Sequence, residues 1–340
     1  MTPPLRIGVV GYGYWGPNLV RNLDRAKGAE LVAGCDADPG NRARLRTAYP
    51  NITASADIEE MLADDSIEAV AVVTSAPTHH AIARRVLESG KHCFVEKPLA
   101  LTAPDADDLV RLADDRGLVL MVGHLMEYHS AVMWIRDYIA SGEMGEVHYL
   151  YAQRLNLGRV RTEENAFWSL APHDVSIVLY LLGESPDSVS ANGAAYLNAG
   201  VADTVFANLR FPGGRMANIH VSWLDPHKVR KFTIVGSKKM LVFDDMQATE
   251  KIWIYDKGVE PAEAMAYGED LTLRFGDITV PYLRMGEPLA AEVEHFLECC
   301  RTGATPRSDG RDGLRVVRVL EAVDESMAAG GAPVATNLEV

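Results

Sequence analysis

Leu5-Arg6-Ile7-Gly8-Val9-Val10-Gly11-Tyr12-Gly13-Tyr14-Trp15-Gly16 is the stretch whose reading decides the fold. Its first half is a short aliphatic run that predicts a strand, and its second half is a G-x-G-x-x-G loop. The segment after the glycines reads as a helix through about Ala26. Between a strand and a helix the three glycines take separate tasks. Gly11 makes the tight turn, Gly13 lets the backbone approach a pyrophosphate, and Gly16 lets helix and strand pack closely. The N–H groups at the helix start then face the anion. Working outward, Glu30–Cys35, Ala69–Val73, His92–Val95 and Leu118–Val122 read as further strands. Ala69–Val73 is apolar throughout, the pattern of a parallel strand covered on both faces. A helical stripe of Ile82, Val86 and Leu87 stops at Gly90, and a helix over Asp105–Arg116 stops at Gly117. Such alternation predicts an α/β domain, a doubly wound parallel sheet, over residues 1–124.

Asp36 stands at the end of the second predicted strand, 20 residues after Gly16, where a carboxylate accepts from ribose hydroxyls. Asp38 adds negative charge and no arginine directly follows, so a 2′-phosphate is disfavoured and NAD is expected over NADP. Tyr14 and Trp15 either cover part of the cofactor or pack the helix on the sheet.

After residue 124 the rhythm changes. One helix (Ala131–Ala140) precedes strands at Glu146–Arg154, Val189–Tyr196, Thr204–Phe211, Arg215–Trp223, Arg230–Val235 and Met240–Asp244. A helix over His173–Leu182 interrupts them, and helices over Leu289–Cys300 and Gly313–Met327 close the chain. Residues 125–340 are therefore expected to form an α+β domain with a large, open, mainly antiparallel sheet.

At 340 residues the chain is long enough for two such domains. Its formal charge of −14 argues against nonspecific nucleic-acid binding, which needs phosphate-neutralising cations. No apolar run reaches the length that spans a bilayer, and no export signal is recognisable, so a cytoplasmic protein without a membrane partner is expected. The 4 cysteines show neither metal-ligand spacing nor a disulfide framework, and no metal is expected.

Glu96-Lys97-Pro98 lies just beyond the carboxyl end of a predicted strand in the nucleotide sheet, where ligands of open α/β sheets bind. Pro98 biases Lys97 toward extended backbone. Oxidation of a secondary alcohol removes a hydride from carbon and a proton from oxygen. A histidine can take that proton, and a nearby ammonium stabilises the alkoxide-like charge. Lys97 and His173 are the catalytic candidates, with His124 as a weaker one at the wall of the crevice. Two basic clusters, Arg154/Arg159/Arg161 and Lys228/Arg230/Lys231/Lys238/Lys239, either hold a pyrophosphate or solvate a sheet edge. Asn165 and Trp168, near His173, are candidates for the nicotinamide end of the cofactor.

Gly11–Gly16, the block Lys91-His92-Cys93-Phe94-Val95-Glu96-Lys97-Pro98-Leu99, Gly123-His124 and Trp168-Ser169-Leu170-Ala171-Pro172-His173-Asp174 resemble the glucose–fructose oxidoreductase and inositol dehydrogenase family. The likeness runs nearly the whole chain. It is narrower still, in "GYWGPNLVRNL", "RLNLGR" and "VSWLDPHKVRKFTIVGSKKM", to dehydrogenases that oxidise C3 of UDP-N-acetylglucosamine-type sugars before transamination. The resemblance implies a Rossmann domain, a tightly held NAD(H), a nucleotide-sugar substrate, and a homodimer or homotetramer assembled through the second sheet. It implies that Lys97 touches both nicotinamide ribose and substrate hydroxyl, that Thr74, His79 and Glu96 lie beside the cofactor, and that His173 is the catalytic histidine. Tyr128, Arg154, Asn156, Arg159 and Asp174 join His124 as substrate-binding candidates. Ser75 and Ser130 replace prolines of the family pattern. Ser169 stands four before His173, where many members place a sugar-contacting aspartate, leaving Asp174 as the substitute. A sugar or inositol dehydrogenase, a nucleotide-sugar 3-ketoreductase and a non-catalytic NAD sensor remain the alternatives.

Overall fold

The computed structural model describes residues 3–158, 160–266 and 269–336. By packing, the chain divides into two units. One takes the chain up to Tyr128 together with Gly286–Arg318, and the other takes His129–Met285 and the chain from Val319 onward. The boundary expected at 124/125 thus falls inside the first unit, and 286–318 return to it.

The first unit carries β1 (Leu5–Val10), α1 (Gly16–Arg25), β2 (Ala29–Cys35), α2 (Pro39–Ala48), β3 (Thr53–Ser55), α3 (Glu59–Leu62), β4 (Ala69–Val72), α4 (His79–Glu88), β5 (His92–Val95), α5 (Ala103–Arg116) and β6 (Leu120–Val122). The strands form a six-stranded parallel sheet in the order β3-β2-β1-β4-β5-β6. All four residues of β4 are buried, as its unbroken apolar run demands. The chain winds outward both ways from the β1/β4 pair, so a crevice opens beyond the carboxyl ends of those two strands. The glycine loop leaves β1 there and Thr74 leaves β4. Lys97 follows β5 and His124 follows β6 at the same edge. Helix α2 and strand β3 were not expected. The helix buries only Leu45, too little for an apolar stripe, and starts because the Asp38 carboxylate accepts from the Gly40 and Asn41 N–H groups.

The second unit carries α6 (Ser130–Ala140), β7 (Val147–Leu155), α7 (Ala166–Leu170), α8 (Pro172–Leu182), β8 (Ser188–Ala194), β9 (Thr204–Arg210), β10 (Met216–Ser222), β11 (Val229–Gly236), β12 (Met240–Asp244), β13 (Ile252–Ala266) and β14 (Glu269–Thr279). With β15 (Val334–Ala335) its strands form one nine-stranded sheet, β14-β13-β12-β11-β7-β10-β9-β8-β15. Every pairing is antiparallel except β7 with β10. Alternation sorts the two faces. Along β9, Val205, Ala207 and Leu209 are buried, while Phe206 on the opposite side is exposed. Tyr149, Tyr151 and Met216 are exposed too, and Phe206 stacks on His220 with ring centroids 4.0 Å apart.

Helix α9 (Pro288–Thr302) explains why the chain returns to the first unit. Its Leu289, Val293, Phe296 and Leu297 share one core with Leu19 and Leu23 of α1, and Phe296 meets Phe94 of β5 edge-on at 5.7 Å. Helix α10 (Gly310–Ala328) has its residues through Arg318 in the first unit and the remainder in the second. Among the described residues, no helix is long and apolar enough to cross a membrane.

Candidate functional site

The glycine loop does by geometry what its spacing predicts. Gly11 has φ +101°, and a Cβ there would fall 2.6 Å from the Val73 carbonyl oxygen. A Cβ on Gly16 would fall 2.6 Å from the Gly11 carbonyl oxygen, so any side chain would push helix from loop. A Cβ on Gly13 would meet nothing within 4 Å, which leaves the backbone open to close approach. No side chain caps α1, and because Pro17 has no N–H and the Asn18 N–H donates to the Trp15 carbonyl at 2.9 Å, a phosphate would meet the loop N–H groups ahead of them. Tyr14 is 94 % exposed, whereas Trp15 is half-buried against the core.

Asp36 binds the loop as well as presenting a carboxylate at the end of β2. It accepts from the Tyr12 N–H at 2.6 Å, the Asp38 N–H at 2.8 Å and the Asn41 side-chain amide at 3.1 Å. Two arginines that the sequence separates from Asp36 are brought back by α2. Arg42 donates to the Asp36 carbonyl at 2.7 Å, and Arg44 donates to the Tyr12 carbonyl at 3.0 Å. An open approach over Gly13, an uncapped helix start and a carboxylate at the second strand end fit a dinucleotide.

At the neighbouring strand ends, His79 is buried, with Nδ1 2.7 Å from the Pro98 carbonyl and Nε2 3.1 Å from the Thr74 carbonyl. It ties the loop after β4 to the loop after β5, and burial lowers its pKa. Both ring nitrogens face backbone carbonyls and the neutral ring donates to one of them, so His79 is turned to the loop backbone rather than outward. The Thr74 hydroxyl accepts from Thr78 at 2.7 Å. The Lys97–Pro98 peptide is cis, and the Lys97 N–H donates to the Glu96 carboxyl at 3.2 Å. Burial raises the Glu96 pKa to about 7, against the pull of the Lys97 charge.

His124 and Tyr128 do not form an open wall. His124 is 1 % exposed, with Nδ1 2.8 Å from Asp312 Oδ2 on α10. Tyr128 is buried under the Arg307 guanidinium with its hydroxyl 3.0 Å from Ser308 Oγ. Neither tyrosine nor histidine advertises such a partner in sequence, because Ser308 and Asp312 lie about 180 residues away.

In the second unit the expected arginine cluster is not one patch. Arg154 on β7 is buried, and its guanidinium holds Asp174 of α8 with contacts of 2.6 and 3.0 Å. Burial pushes the Asp174 carboxyl up and Arg154 pulls it back. Arg154 is thus committed to Asp174 rather than displayed for a pyrophosphate, and Asp174 is committed in return. Arg161 is exposed and pairs with Glu164 at 2.8 Å, while Arg159 lies outside the described residues. The lysine-rich cluster also divides. Arg230 and Lys231 sit at the start of β11, Arg230 opposite Arg154, while Lys238 and Lys239 lie in the turn beyond its far end. Lys239 pairs there with Glu143 at 3.0 Å.

His173, half-buried, is the second residue of α8, beside Asp174. Asn165 caps α7 by accepting from the Phe167 and Trp168 N–H groups, and its amide donates to Asp324 at 2.8 Å. The Trp168 indole donates to the same carboxylate at 2.6 Å. These contacts anchor α7 to α10, a role neither residue's spacing from His173 revealed. Asn156 follows β7 with its N–H on the Ser222 carbonyl at 3.2 Å.

Comparison with known proteins identifies the family of both parts of the chain. Residues 5–124 match the oxidoreductase family model with an NAD-binding Rossmann fold, and residues 132–242 match the GFO/IDH/MocA C-terminal domain. UDP-N-acetylglucosamine 3-dehydrogenase of Acidithiobacillus ferrooxidans is 28 % identical over 314 residues, covering 92 % of this chain and 94 % of that protein. A solved structure of that enzyme superposes with a TM-score of 0.80 at 27 % identity, over 96 % of this chain and 98 % of that one. The scyllo-inositol 2-dehydrogenase (NAD(+)) of Bacillus subtilis is 26 % identical, covering 90 % of this chain and 89 % of that protein. The WlbA dehydrogenase of Bordetella pertussis, solved with NADH and UDP-GlcNAcA, shares the fold with a TM-score of 0.79 at 22 % identity, over 99 % and 100 % of the two chains. The chain belongs to the GFO/IDH/MocA oxidoreductase family and is an NAD-dependent oxidoreductase acting on CH–OH groups.

Proposed function

We propose that the protein oxidises a secondary alcohol, C3, of a nucleotide-linked amino sugar such as UDP-N-acetylglucosamine or its uronate, before a transamination. The observation that carries this reading is Lys97, at the carboxyl end of the same sheet as the glycine loop, with Glu96 behind it and His79 pinning its loop. The 28 % identity to a UDP-N-acetylglucosamine 3-dehydrogenase supports the substrate class. NAD, when bound along Gly11–Gly16 and Asp36, supplies the acceptor for the hydride. Lys97 places a positive charge where the hydroxyl oxygen becomes alkoxide-like, and His173 takes the hydroxyl proton. Self-association through the uncovered face of the nine-stranded sheet belongs to the same reading.

One observation favours a second substrate class. Arg154, expected to grip a pyrophosphate, is spent on Asp174, which leaves a free sugar or inositol as the competing alcohol. Calorimetry with UDP alone separates the two. Binding at micromolar concentration supports the nucleotide sugar, and no heat up to millimolar UDP, with turnover of inositol or a free sugar, overturns it. Mass spectrometry of small molecules that copurify with the protein gives an independent answer.

A further inference from the structure

Behind Lys97 the first unit buries a set of ionisable groups that hydride and proton transfer do not use. Glu96 leads into it from the end of β5. A Cβ on Gly123 would lie 3.1 Å from Glu96 Oε2, so the Glu96 carboxyl rests on the residue that precedes His124. His124 Nδ1 lies 2.8 Å from Asp312 Oδ2 and 3.4 Å from Glu127 Oε1, and all three residues are at most 3 % exposed. Arg315 donates to the other Asp312 oxygen at 2.6 Å, and half-buried Asp309 accepts from the Asp312 N–H at 2.8 Å. Glu292 of α9 is fully buried with neither carboxyl oxygen hydrogen-bonded, within the electrostatic reach of Glu96, His124 and Glu127.

Three carboxyls, an imidazole and Asp312 cannot all take arbitrary charges in so dry a place. Burial works against a charge on His124, and its Nε2 meets no acceptor among the described residues, but the hydrogen bond and charge of Asp312, with Glu127 beside it, outweigh this and push its pKa to about 10. Burial likewise works to raise Asp312, yet His124 and Arg315 hold it below the usual carboxylate range. Burial and the neighbouring carboxyls push Glu127 and Glu292 up, so these two keep their protons at neutral pH. Glu96, raised by burial to about 7, is drawn down by Lys97 and His124. Arg315, Asp312 and His124 then alternate in sign along their contacts, and Glu96 adds a negative charge above about pH 7. Like charges side by side would cost far more in a low-dielectric interior. His124, Glu127 and Asp312 offer ligand atoms within 4.8 Å of one another. Asp312, however, already holds both a guanidinium and the imidazole, so a proton serves where a metal would be a third cation.

We propose that His124 is a positioning residue of the dehydrogenase: as a buried imidazolium held by Asp312 it favours the ionised form of Glu96, the carboxyl that accepts from the Lys97 N–H, and so the negative charge beside Lys97. The role in turnover rests on Lys97 serving the reaction as proposed above, whereas the imidazolium and the charge of Glu96 do not.

Two measurements on the full chain test it without activity. In histidine-labelled protein, one of the 10 imidazoles should remain doubly protonated at pH 8 by nitrogen NMR. That signal should vanish in His124→Asn and titrate below pH 8 in Asp312→Asn. Ten neutral imidazoles at pH 8 would overturn the proposal. Infrared difference spectra against Glu96→Gln should show a mostly ionised Glu96 at pH 8 in wild type and about half of it protonated at the same pH in His124→Asn. An unchanged Glu96 band would also overturn it. Asp312→Asn carries the same two readouts should His124→Asn fail to fold. In turnover, removing the imidazolium makes Glu96 harder to ionise, so a limb of kcat that follows Glu96 should move up by about one pH unit, with about a fivefold loss at pH 7. KM for NAD should change by no more than about twofold, since the glycine loop and Asp36 are untouched. If wild type oxidises no alcohol, the functional reading falls while the two spectra still decide this one.

Discussion

The glycine loop of the first unit and the Arg154–Asp174 pair of the second contain residues of equal chemical promise, and they fare differently. Gly11 and Gly16 are constrained by atoms within a few residues of the same β1–α1 turn or of the adjacent strand, so their spacing fully announces their geometry. Arg154 is constrained by a carboxylate 20 residues away on another element, and its charge announces only that it needs an anion. A ligand and Asp174 satisfy that need equally well on paper. Backbone requirements are therefore read safely from sequence, whereas a charged side chain is read safely only once its partner is known.

The largest effect expected lies with Lys97 and His173. Each change to Ala should lower kcat by about 10²–10⁴-fold while NAD still binds, since each removes stabilisation that develops in the transition state. The double variant should lose less than the product of the single losses if both act on one hydroxyl. Steady-state kinetics of the three variants settle the point; fully multiplicative losses would separate their roles.

A buried ion pair gives the sharpest contrast with a binding arginine. Arg154→Ala strands Asp174 in the interior and should destabilise the second unit by about 3–5 kcal/mol, whereas Arg154→Met with Asp174→Leu should restore most of that. Chemical denaturation followed by Trp fluorescence measures both. An Arg154→Ala variant that unfolds like wild type and binds substrate poorly would return the arginine to the ligand.

Asp36 tests the region whose role was legible. Asp36→Ala should weaken NAD by about tenfold or more, the worth of ~1.5–3 kcal/mol for a charge-assisted hydrogen bond. NADP should suffer less, because Arg42 and Arg44 remain beside the vacated carboxylate. An unchanged NAD/NADP ratio by fluorescence titration would break the assignment.

The smallest effect is expected on the open sheet face, where Phe206→Glu should raise the dissociation constant between copies without changing the unfolding midpoint of a dilute sample. Phe206 is 45 % exposed and carries little of the core. Sedimentation at several concentrations reads it, and an unaltered distribution would move the proposed association elsewhere.

Both sheets and most of their strands were legible because hydrophobic period follows from local geometry: continuous for the parallel strands, alternating for the half-covered sheet. Helix α2 was not, since its stability lies in the Asp38 cap and a single buried leucine. The return of α9 to the first core was not either, since Phe296 and Phe94 are separated by 202 positions and any apolar stripe would look the same. The sequence by itself determined the glycine loop, the acid after β2 and the lysine after β5. Each is specified by a backbone shape or a fixed offset from a strand end. Only the tertiary structure decided that Arg154 answers Asp174, that Asn165 and Trp168 answer Asp324, and that His124 answers Asp312. In a low-dielectric interior a polar group must find its partner, and which partner is near depends on how distant segments pack.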